Sequence, residues 1–488
     1  MSDPVLEAER LLRRFARDTN LLIAGRPMRV VGDGRVADAL RSMLSGMGAR
    51  LSSTGPADAS TASPDEVAFD VASGAITLGG SPLADRGDAS GRLDFAAAHM
   101  PVTRAIARSL DEADAVRGLR IGVSMTLEPK TANLALMLAD AGAKVAVYAH
   151  PDETDMDVAQ ALRDRGVPCD ADATLAPEQE RGAALAFLNR GFDVLVDDGS
   201  HLTRLAHEKG LACEWVGATE ETTSGLTPLR RMQESGVLSI PVIAVNDAAT
   251  KTGFDNRYGT GQSCVLAIAD LLDGAGVTLR DQPALVLGYG PVGVGVAAHL
   301  RALGVEVRVA EVDPVRALLA AHDGYEVGAA DALGSGALVI SATGVPATVS
   351  PHLLVAAKAV AVAGGVPGEV VLDGLADALE PVATDVERLP SGALLLDRGG
   401  CINVTAAEGN PIEIMDLSFA TQLAAVAELV TARPGVGVHA LSDAAVARVG
   451  AAAARARGLS LSPAPPASSP TQGDWRSPRF ATTPKEPA

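Results

Sequence analysis

The chain has 488 residues, enough for two or three domains, and its hydrophobic content of 47% is sufficient for sizeable cores. A net charge of −19 disfavours binding to DNA or other polyanions. An aromatic content of 3% also disfavours base-stacking surfaces for single-stranded nucleic acid, so we expect no nucleic-acid partner.

Two further features bear on the class of protein. The four cysteines (Cys169, Cys213, Cys264 and Cys401) stand far apart and form no C-x-x-C pair, so we expect no metal site. The first residues contain no apolar signal core, and no uninterrupted apolar stretch reaches membrane-spanning length. We therefore expect a cytoplasmic protein that does not enter a membrane.

Residues 1–95 are predicted to form an N-terminal extension. Helical spacing over 5–18 is followed by a strand, a glycine turn and a helix over 28–48, which resembles a degenerate βα unit. Because no acidic residue ends the strand after this helix, we interpret the unit as structural and not as a second cofactor site. The polar stretch 53–94 is predicted to be loop with short strands, or partly disordered.

From residue 96 the predicted strands and helices alternate regularly. Strands are predicted at 120–123, 144–148, 194–196 and 242–245, and helices at 98–110, 131–141, 158–165, 178–189 and 251–272. This alternation predicts a parallel sheet covered on both faces, with ligands bound beyond the carboxyl ends of its strands. We expect 96–255 to form a substrate-binding α/β domain, completed by 404–431.

The glycine motif at 288–293 predicts a dinucleotide site. A buried strand over 284–287 leads into Gly288, Gly290 and Gly293 with G-x-G-x-x-G spacing, then a helix, then a strand that ends at Glu311. The carboxylate of Glu311 would accept hydrogen bonds from ribose hydroxyls and repel a 2′-phosphate, which favours NAD over NADP. The alternative is a βαβ unit with a glycine turn and no ligand.

This NAD-binding Rossmann domain is expected to span 256–403, inserted within the substrate domain of an α/β protein. Further strands at 338–341, 359–362 and 394–396 are predicted to extend its sheet. Residues 432–488 are expected to be a C-terminal segment, disordered from about residue 460.

Polar residues follow several of the predicted strands. They are Asp197-Asp198-Gly199, the run Glu220-Glu221-Thr222-Thr223-Ser224-Gly225, and Asn246 with Lys251, Asp255 and Asn256. Taken alone, Lys251 and Asp255 could be an exposed i,i+4 ion pair worth a few tenths of a kcal/mol. Together, beside an NAD loop, these residues predict a site with a lysine, several carboxylates and a hydride acceptor.

Four of these stretches resemble the S-adenosylhomocysteine hydrolase family. They are Glu-Glu-Thr-Thr-Ser-Gly (220–225), Ile-Pro-Val-Ile-Ala-Val-Asn-Asp (240–247), Thr-Lys-Thr-Gly-Phe-Asp-Asn-Arg-Tyr-Gly (250–259) and Gly-Tyr-Gly-Pro-Val-Gly-Val-Gly (288–295). The resemblance runs from about residue 100 to about residue 439. It implies a nucleoside substrate, tightly bound NAD and a homotetramer.

The resemblance also implies a mechanism. NAD oxidises the ribose 3′-hydroxyl, which makes the 4′-hydrogen acidic, and the 5′-substituent is then eliminated. By resemblance, Lys251 with Asp255 serves the 3′-hydroxyl, Asp198 is the base at C4′, and Glu221 binds ribose hydroxyls. Substrate contacts are implied for Thr126, Glu128, Lys130, Asn246, Asn410 and Met415. NAD contacts are implied for Thr222, Thr223, Ser224, Asn256, Val292, Glu311 and Asn403.

The departures from the family pattern concern the leaving group and the base. Thr126 stands where the family has a histidine beside the leaving group, and Val366 stands where it has a second histidine. Lys130 replaces a glutamate that contacts the adenine, Glu128 replaces a threonine, and Asn410 replaces a histidine near the base. The part of the site that handles hydride transfer is therefore retained, and the part that handles the 5′-group and the base is changed.

Three functions remain open from the sequence. The favoured one is a divergent enzyme that eliminates another 5′-group, which on a free 5′-hydroxyl is water; such a nucleoside 4′,5′-dehydratase would suit nucleoside natural-product biosynthesis. The alternative is hydrolysis of S-adenosylhomocysteine, which the two replaced histidines disfavour. The second alternative is a non-catalytic, NAD-binding regulatory relative, which has no need of the retained lysine and carboxylates.

Overall fold

The computed structural model describes residues 3–52, 63–366, 368–372 and 374–463, and these residues form three β-sheets. The helices are α1 Pro4–Thr19, α2 Arg35–Gly46, α3 Ala89–Ala98, α4 Pro101–Glu112, α5 Pro129–Asp140, α6 Met156–Asp164, α7 Pro177–Leu188, α8 His201–Glu208, α9 Thr223–Glu234, α10 Ala249–Thr252, α11 Thr260–Gly274, α12 Pro291–Ala302, α13 Pro314–His322, α14 Ala330–Leu333, α15 Pro351–Ala356, α16 Ile402–Thr405, α17 Ile412–Ala432 and α18 Asp443–Ala456.

The first sheet belongs to the N-terminal extension and has the order β2-β1-β3-β4-β5. Its strands are β1 Pro27–Val31, β2 Arg50–Leu51, β3 Val67–Asp70, β4 Ala75–Leu78 and β5 Ser81–Pro82. β1, β2 and β3 are parallel, whereas β4 and β5 add as antiparallel strands. The predicted strand and helix within 28–48 are present as β1 and α2. The stretch 53–94, predicted to be loop with short strands, contains β3, β4 and β5, but helix α3 begins within it at Ala89. Residues 53–62 of that stretch lie outside the described residues.

The second sheet is entirely parallel, with the order β19-β10-β9-β8-β6-β7. Its strands are β6 Arg120–Ser124, β7 Lys144–Tyr148, β8 Val194–Asp197, β9 Gly217–Glu220, β10 Pro241–Ala244 and β19 Gly437–Ala440. All four residues of β8 are buried, as are those of β9. Helices on both faces explain why these strands are apolar without alternation.

Two predicted boundaries in this half of the chain need correction. The helix predicted over 98–110 is present as α4 but begins at Pro101, because Ala98 is the last residue of α3 and the ring of Pro101 starts the next helix. The boundary at 431 falls too early, because β19 pairs with β10 and α18 packs on α17 and α4. The expected disorder from about residue 460 concerns mainly 464–488, which lie outside the described residues.

The third sheet, with the order β13-β12-β11-β14-β15-β18-β17-β16, is the Rossmann-type unit. Its strands are β11 Ala284–Leu287, β12 Val307–Ala310, β13 Glu326–Val327, β14 Leu338–Ser341, β15 Ala359–Val362, β16 Glu380–Ala383, β17 Val386–Arg388 and β18 Leu394–Leu396. It lies between β10 and β19 of the second sheet in the chain, so the NAD unit is inserted in a second α/β unit, as predicted.

Helix α17 is the central element of the fold. It contacts α4, α18, β8, β9 and β10, and its mostly apolar surface is therefore buried. In the described part of the chain it is the one helix long and apolar enough to cross a membrane, but 72% of that apolar window is buried inside the protein. Its composition is that of a core helix.

Candidate active site

Two buried carboxylates shape the loops at the carboxyl end of the second sheet. Asp197 and Glu220 are the last residues of neighbouring strands and pair in register. Asp197 accepts hydrogen bonds from the backbone N–H and hydroxyl of Thr203, at 2.8 and 2.6 Å. Glu220 accepts from the backbone N–H and hydroxyl of Thr222, at 2.8 and 2.6 Å. These bonds fix the loops that carry the next residues, Asp198 and Glu221.

Lys251 is the centre of the predicted site. Its side chain is 3% exposed, and its Nζ lies 2.9 Å from Asp255 Oδ2. The same Nζ donates to Asn256 Oδ1 at 2.9 Å and to Asn246 Oδ1 at 3.3 Å. Burial lowers the pKa of Lys251, but the carboxylates of Asp255 and Glu221 outweigh it, and the pKa is raised overall. The exposed ion pair considered as an alternative is therefore excluded.

Asp255 is held on its other side by a chain of amides. Asn410 Nδ2 donates to Asp255 Oδ1 at 2.7 Å, and Asn403 Nδ2 donates to Asn410 Oδ1 at 3.0 Å. Ser263 Oγ also donates to Asn410 Oδ1, at 2.7 Å. Asn410 and Asn403 were predicted as substrate and cofactor contacts. Asn410 binds the carboxylate oxygen of Asp255 that does not contact Lys251, and Asn403 binds Asn410.

Glu221 points into the same cluster from the loop after β9. Its two carboxylate oxygens accept hydrogen bonds from Ser418 Oγ and from Gln422 Nε2, both on α17. Burial raises the pKa of Glu221 to about 7, although the positive charge of Lys251 acts in the opposite direction. Sequence reasoning missed Ser418 and Gln422, because they lie about two hundred positions away from Glu221 along the chain.

Asp198 completes the cluster of titratable groups. Burial raises its pKa, while the charge of Lys251 and a hydrogen bond from Thr222 act to lower it. The charge of Asp255 acts to raise the pKa of Asp198 and of Glu221, and the charge of Asp198 acts to raise that of Glu221. The four residues predicted to be catalytic are thus brought together by β8, β9, α10 and the π-helical turn at Asp255–Gly259.

The glycine loop fits a bound dinucleotide. Gly288 has a φ of +90°, which favours glycine. A Cβ at Gly293 would meet Gly288 O at 2.0 Å, whereas one at Gly290 would meet nothing closer than 3.5 Å, so the backbone there is open to a ligand. Gly290 precedes α12, whose N-terminus can face a pyrophosphate. Val292, in the first turn of that helix, is half-buried.

Glu311 lies at the end of β12, as the motif predicts. Its Oε2 accepts from Tyr289 N at 2.6 Å, inside the glycine loop, and its Oε1 accepts from Val312 N and Asp313 N. The carboxylate therefore orients both the loop and the turn after β12. Carboxylate oxygens have further lone pairs for the ribose hydroxyls of NAD.

Three further predicted cofactor contacts lie at the start of α9. Thr222 is its N-cap and accepts from Gly225 N. Ser224 donates to Thr222 Oγ1 at 3.2 Å, and Thr223 Oγ1 accepts from Asn246 Nδ2 at 2.9 Å. Thr223 and Ser224 are exposed, so their hydroxyls remain accessible to a ligand.

Three residues predicted to contact the substrate make contacts within the protein. Glu128 is the N-cap of α5 and accepts from Lys130 N and Thr131 N. Lys130 is 1% exposed; its Nζ lies 2.7 Å from Glu128 Oε2 and donates to Glu408 O at 2.6 Å. Both side chains thus hold loops together within the protein. Met415 is half-buried on α17, where it packs on the core.

The hydroxyl of Thr126 contacts Glu153, a residue that the sequence analysis did not identify. Its Oγ1 donates to Glu153 Oε2 at 3.4 Å. Glu153 follows β7, at the same sheet edge as the predicted carboxylates, so its position at a strand end was a usable signal. Burial, then the charge of Asp198, raises the pKa of Glu153 to about 7. In the described ranges, no group of three or more His, Cys, Asp and Glu side chains could hold a metal ion.

Comparisons with known proteins identify the family of this chain. Residues 256–408 match the family profile described as S-adenosyl-L-homocysteine hydrolase, NAD binding domain. The adenosylhomocysteinase of Aeropyrum pernix is 36% identical over 362 residues, which cover 71% of this chain and 86% of the relative. The S-inosyl-L-homocysteine hydrolase of Methanopyrus kandleri is 37% identical over 350 residues, covering 68% and 82%. The chain therefore belongs to the adenosylhomocysteinase family and contains its NAD-binding domain.

Proposed function

We propose that this enzyme oxidises a nucleoside transiently at C3′, removes the C4′ proton and eliminates the 5′-hydroxyl as water, as a nucleoside 4′,5′-dehydratase. The observation that carries the proposal is the buried contact of Lys251 with Asp255, beside Asp198. In this scheme the second sheet binds the nucleoside and the third binds NAD. Bound NAD would accept a hydride from C3′ and return it at the end of the cycle.

Lys251 would act on the 3′-oxygen. Its ammonium group, surrounded by the oxygens of Asp255, Asn246 and Asn256, is positioned to stabilise negative charge on that oxygen. The same charge would stabilise the enolate formed when the C4′ proton leaves, because a buried cation acts strongly on charge that develops nearby. Asp255, held by Asn410, keeps the ammonium group in place.

Asp198 would take the C4′ proton. Burial and Lys251 act on its pKa in opposite directions, and the pKa is raised overall towards the range where a carboxylate is an effective base near neutral pH. Glu221, in the loop after the neighbouring strand β9, would bind ribose hydroxyls and is anchored by Ser418 and Gln422.

The changed half of the site supports loss of a 5′-hydroxyl over loss of a thioether. Thr126 and Val366 stand where the family has histidines. Lys130 is held by Glu128 and Glu408, which supports a different mode of base binding. The names of the relatives support the second candidate, hydrolysis of S-adenosylhomocysteine or S-inosylhomocysteine.

A substrate panel separates these candidates. Purified protein is incubated with nucleosides that carry a free 5′-hydroxyl and with both homocysteine thioethers, and the products are weighed by mass spectrometry. A product lighter than its nucleoside by one water, with loss of a C4′ deuterium label to solvent, is expected. Release of homocysteine without a dehydrated product would establish the hydrolase instead. If no compound produces bound NADH absorbance, the protein is a regulatory relative.

The resemblance to the family also leads us to propose a cytoplasmic homotetramer. Size-exclusion chromatography with light scattering of the full chain tests the assembly, and a monomer would contradict it.

A further inference from the structure

We propose that Glu153 is the general acid that protonates the departing 5′-oxygen. Hydroxide is a poor leaving group, so elimination of a 5′-hydroxyl needs a proton donor near C5′. The proposal rests on the proposed dehydration, and it names the residue that makes this chain suited to a leaving group that must be protonated.

The backbone fixes Glu153 against the loop that follows β6. Leu127 N donates to Glu153 O at 2.9 Å, and Asp155 N donates to Leu127 O at 3.1 Å, so the two loops form a short bridge. The hydroxyl of Thr126 then reaches Glu153 Oε2 at 3.4 Å. Glu153 is thus held at the sheet edge that carries Asp198.

The order of the charged groups matches the order of atoms in a ribose. Lys251 follows β10, Asp198 follows β8 and Glu153 follows β7, and the sheet order β10-β9-β8-β6-β7 places Asp198 between the other two along the sheet edge. The charge of Lys251 acts on Asp198, and the charge of Asp198 acts on Glu153. The atoms C3′, C4′ and C5′ are consecutive. If Lys251 serves the 3′-oxygen and Asp198 serves C4′, a group on the other side of Asp198 is placed for the 5′-oxygen.

Neighbouring acids have other roles in the structure. Glu128 caps α5 and pairs with Lys130. Asp197 and Glu220 hold loop backbone through Thr203 and Thr222.

Two histidines also lie nearby. His150 is held through Nδ1 by Glu180, whereas Glu153 is the group that the Thr126 hydroxyl contacts. Burial lowers the pKa of His201 to about 4, so that ring is neutral and carries no acidic proton at neutral pH.

The surroundings of Glu153 give it a pKa near neutrality. Burial and the negative charges of Asp198 and Asp152 raise its pKa, while His150 and the Thr126 hydroxyl lower it, for a value of about 7. In the NAD-binding unit, burial is the main reason that the pKa of the Cys401 thiol is raised, so that thiol stays neutral. A carboxyl group with a pKa of about 7 holds a proton in a substantial fraction of molecules near neutral pH and can give it up during turnover.

The elimination balances with two carboxyl groups. With C3′ as a ketone, the Asp198 carboxylate takes the C4′ proton, and the C–H electron pair forms the enolate. That pair then forms the C4′=C5′ double bond, the C5′–O bond breaks, and its electrons leave with the oxygen, which takes the proton of Glu153. One water is lost, Asp198 is left protonated and Glu153 ionised, and both return to their starting states by exchange with solvent.

The test uses Glu153→Gln in the full chain. Glutamine keeps an oxygen for Thr126 but has no acidic proton. With a free 5′-hydroxyl nucleoside, dehydration should fall by about 10²- to 10⁴-fold. Formation of bound NADH and exchange of the C4′ label should persist. The same variant should process a 5′-chloro-5′-deoxynucleoside at close to the wild-type rate, because chloride leaves without a proton.

Asp157→Asn is the matched control, because Asp157 is an exposed carboxylate in the first turn of α6, and its dehydration rate should stay within about twofold of wild type. Equal loss on the hydroxyl and chloro substrates, or full dehydration by Glu153→Gln, would overturn the assignment. If wild-type protein shows neither bound NADH nor C4′ exchange with any nucleoside, the proposed function itself fails, and the role of Glu153 fails with it.

Discussion

At the scale of single residues, the buried environment of Lys251 decides its chemistry. An exposed lysine–carboxylate pair at i,i+4 spacing would contribute little, but here both side chains are under 10% exposed and lie within a set of amides. The ammonium group of Lys251 is thus held in a fixed position near two further carboxylates, Asp198 and Glu221. In the proposed reaction, its charge and not its contribution to helix stability is the property that matters.

We expect Asp255→Asn to reduce formation of bound NADH on a nucleoside substrate by at least about 10²-fold. Asparagine can keep the contact with Asn410 but removes the negative charge that raises the pKa of Lys251. Absorbance of bound NADH after rapid mixing measures the effect. Asp247→Asn, which alters an exposed carboxylate paired with Arg230, is the control and should react like wild type. An unchanged rate in Asp255→Asn would show that the Lys251–Asp255 pair takes no part in forming bound NADH.

Glu221 should make stability depend on pH. Its folded-state pKa of about 7 lies above the ordinary 4.5, so between these values the folded state holds a proton that the unfolded state releases. The contribution of Glu221 to stability is therefore fully present below about pH 4.5 and declines as the pH rises towards 7, by at most roughly 3 kcal/mol. Thermal unfolding of wild type and Glu221→Gln across this range should show a difference that changes with pH. A constant difference would contradict the raised pKa.

At the scale of elements, one close contact joins helix α12, which follows the glycine loop, to the π-helical turn Asp255–Gly259. A Cβ at Gly295, on α12, would meet Arg257 O at 2.0 Å, within the π-helical turn that carries Asp255 and Asn256. The glycine lets α12 approach that turn, so the position of the dinucleotide helix and that of the lysine–carboxylate pair are mechanically linked.

We expect Gly295→Ala to lower turnover by at least about tenfold, because the turn must move away from α12, and a shift of 1 Å in a reacting group can cost more than that. The assay is nucleoside-dependent formation of bound NADH, with NAD content measured separately after denaturation. Gly182→Ala is the control: this glycine lies in α7 with open space around its Cβ, so alanine should stabilise the protein slightly. Normal turnover by Gly295→Ala would show that the turn adapts freely.

At the scale of the whole molecule, a charged network ties the N-terminal extension to the substrate unit. Glu408 is bound by Arg86 and Arg92, and its carbonyl oxygen accepts from Lys130 Nζ. Burial acts to raise the pKa of Glu408, but these three cations lower it overall. Lys130, predicted to contact the base, is therefore a structural link between three segments in this conformation.

We expect Lys130→Met to destabilise the protein by about 3 kcal/mol, seen as a lower thermal midpoint, because it leaves a buried carboxylate without its cation. Lys209→Met, at an exposed position, should leave the midpoint unchanged. If the midpoint is kept and nucleoside affinity alone falls, Lys130 contacts the substrate as the family resemblance implied.

Some features of this protein can be predicted from local sequence alone. The glycine spacing at 288–293 and Glu311 are read from a single short segment, because strand, turn and helix there depend on neighbouring residues and on hydrophobic period. The regular alternation from residue 96 likewise predicted the parallel sheet. The i,i+4 spacing of Lys251 and Asp255 can also be read directly from the sequence.

Contacts between residues that are distant along the chain became evident only in the tertiary structure. Helix α4 is capped by Asp416 on α17, which accepts from Val102 N and Thr103 N across 314 and 313 positions. Glu153 meets Thr126 across two loops, and β19 joins the sheet after the whole NAD unit. A sequence pattern records which backbone conformations neighbouring residues favour, but the partners of a buried polar group depend on which loops and helix ends the packed sheets bring together.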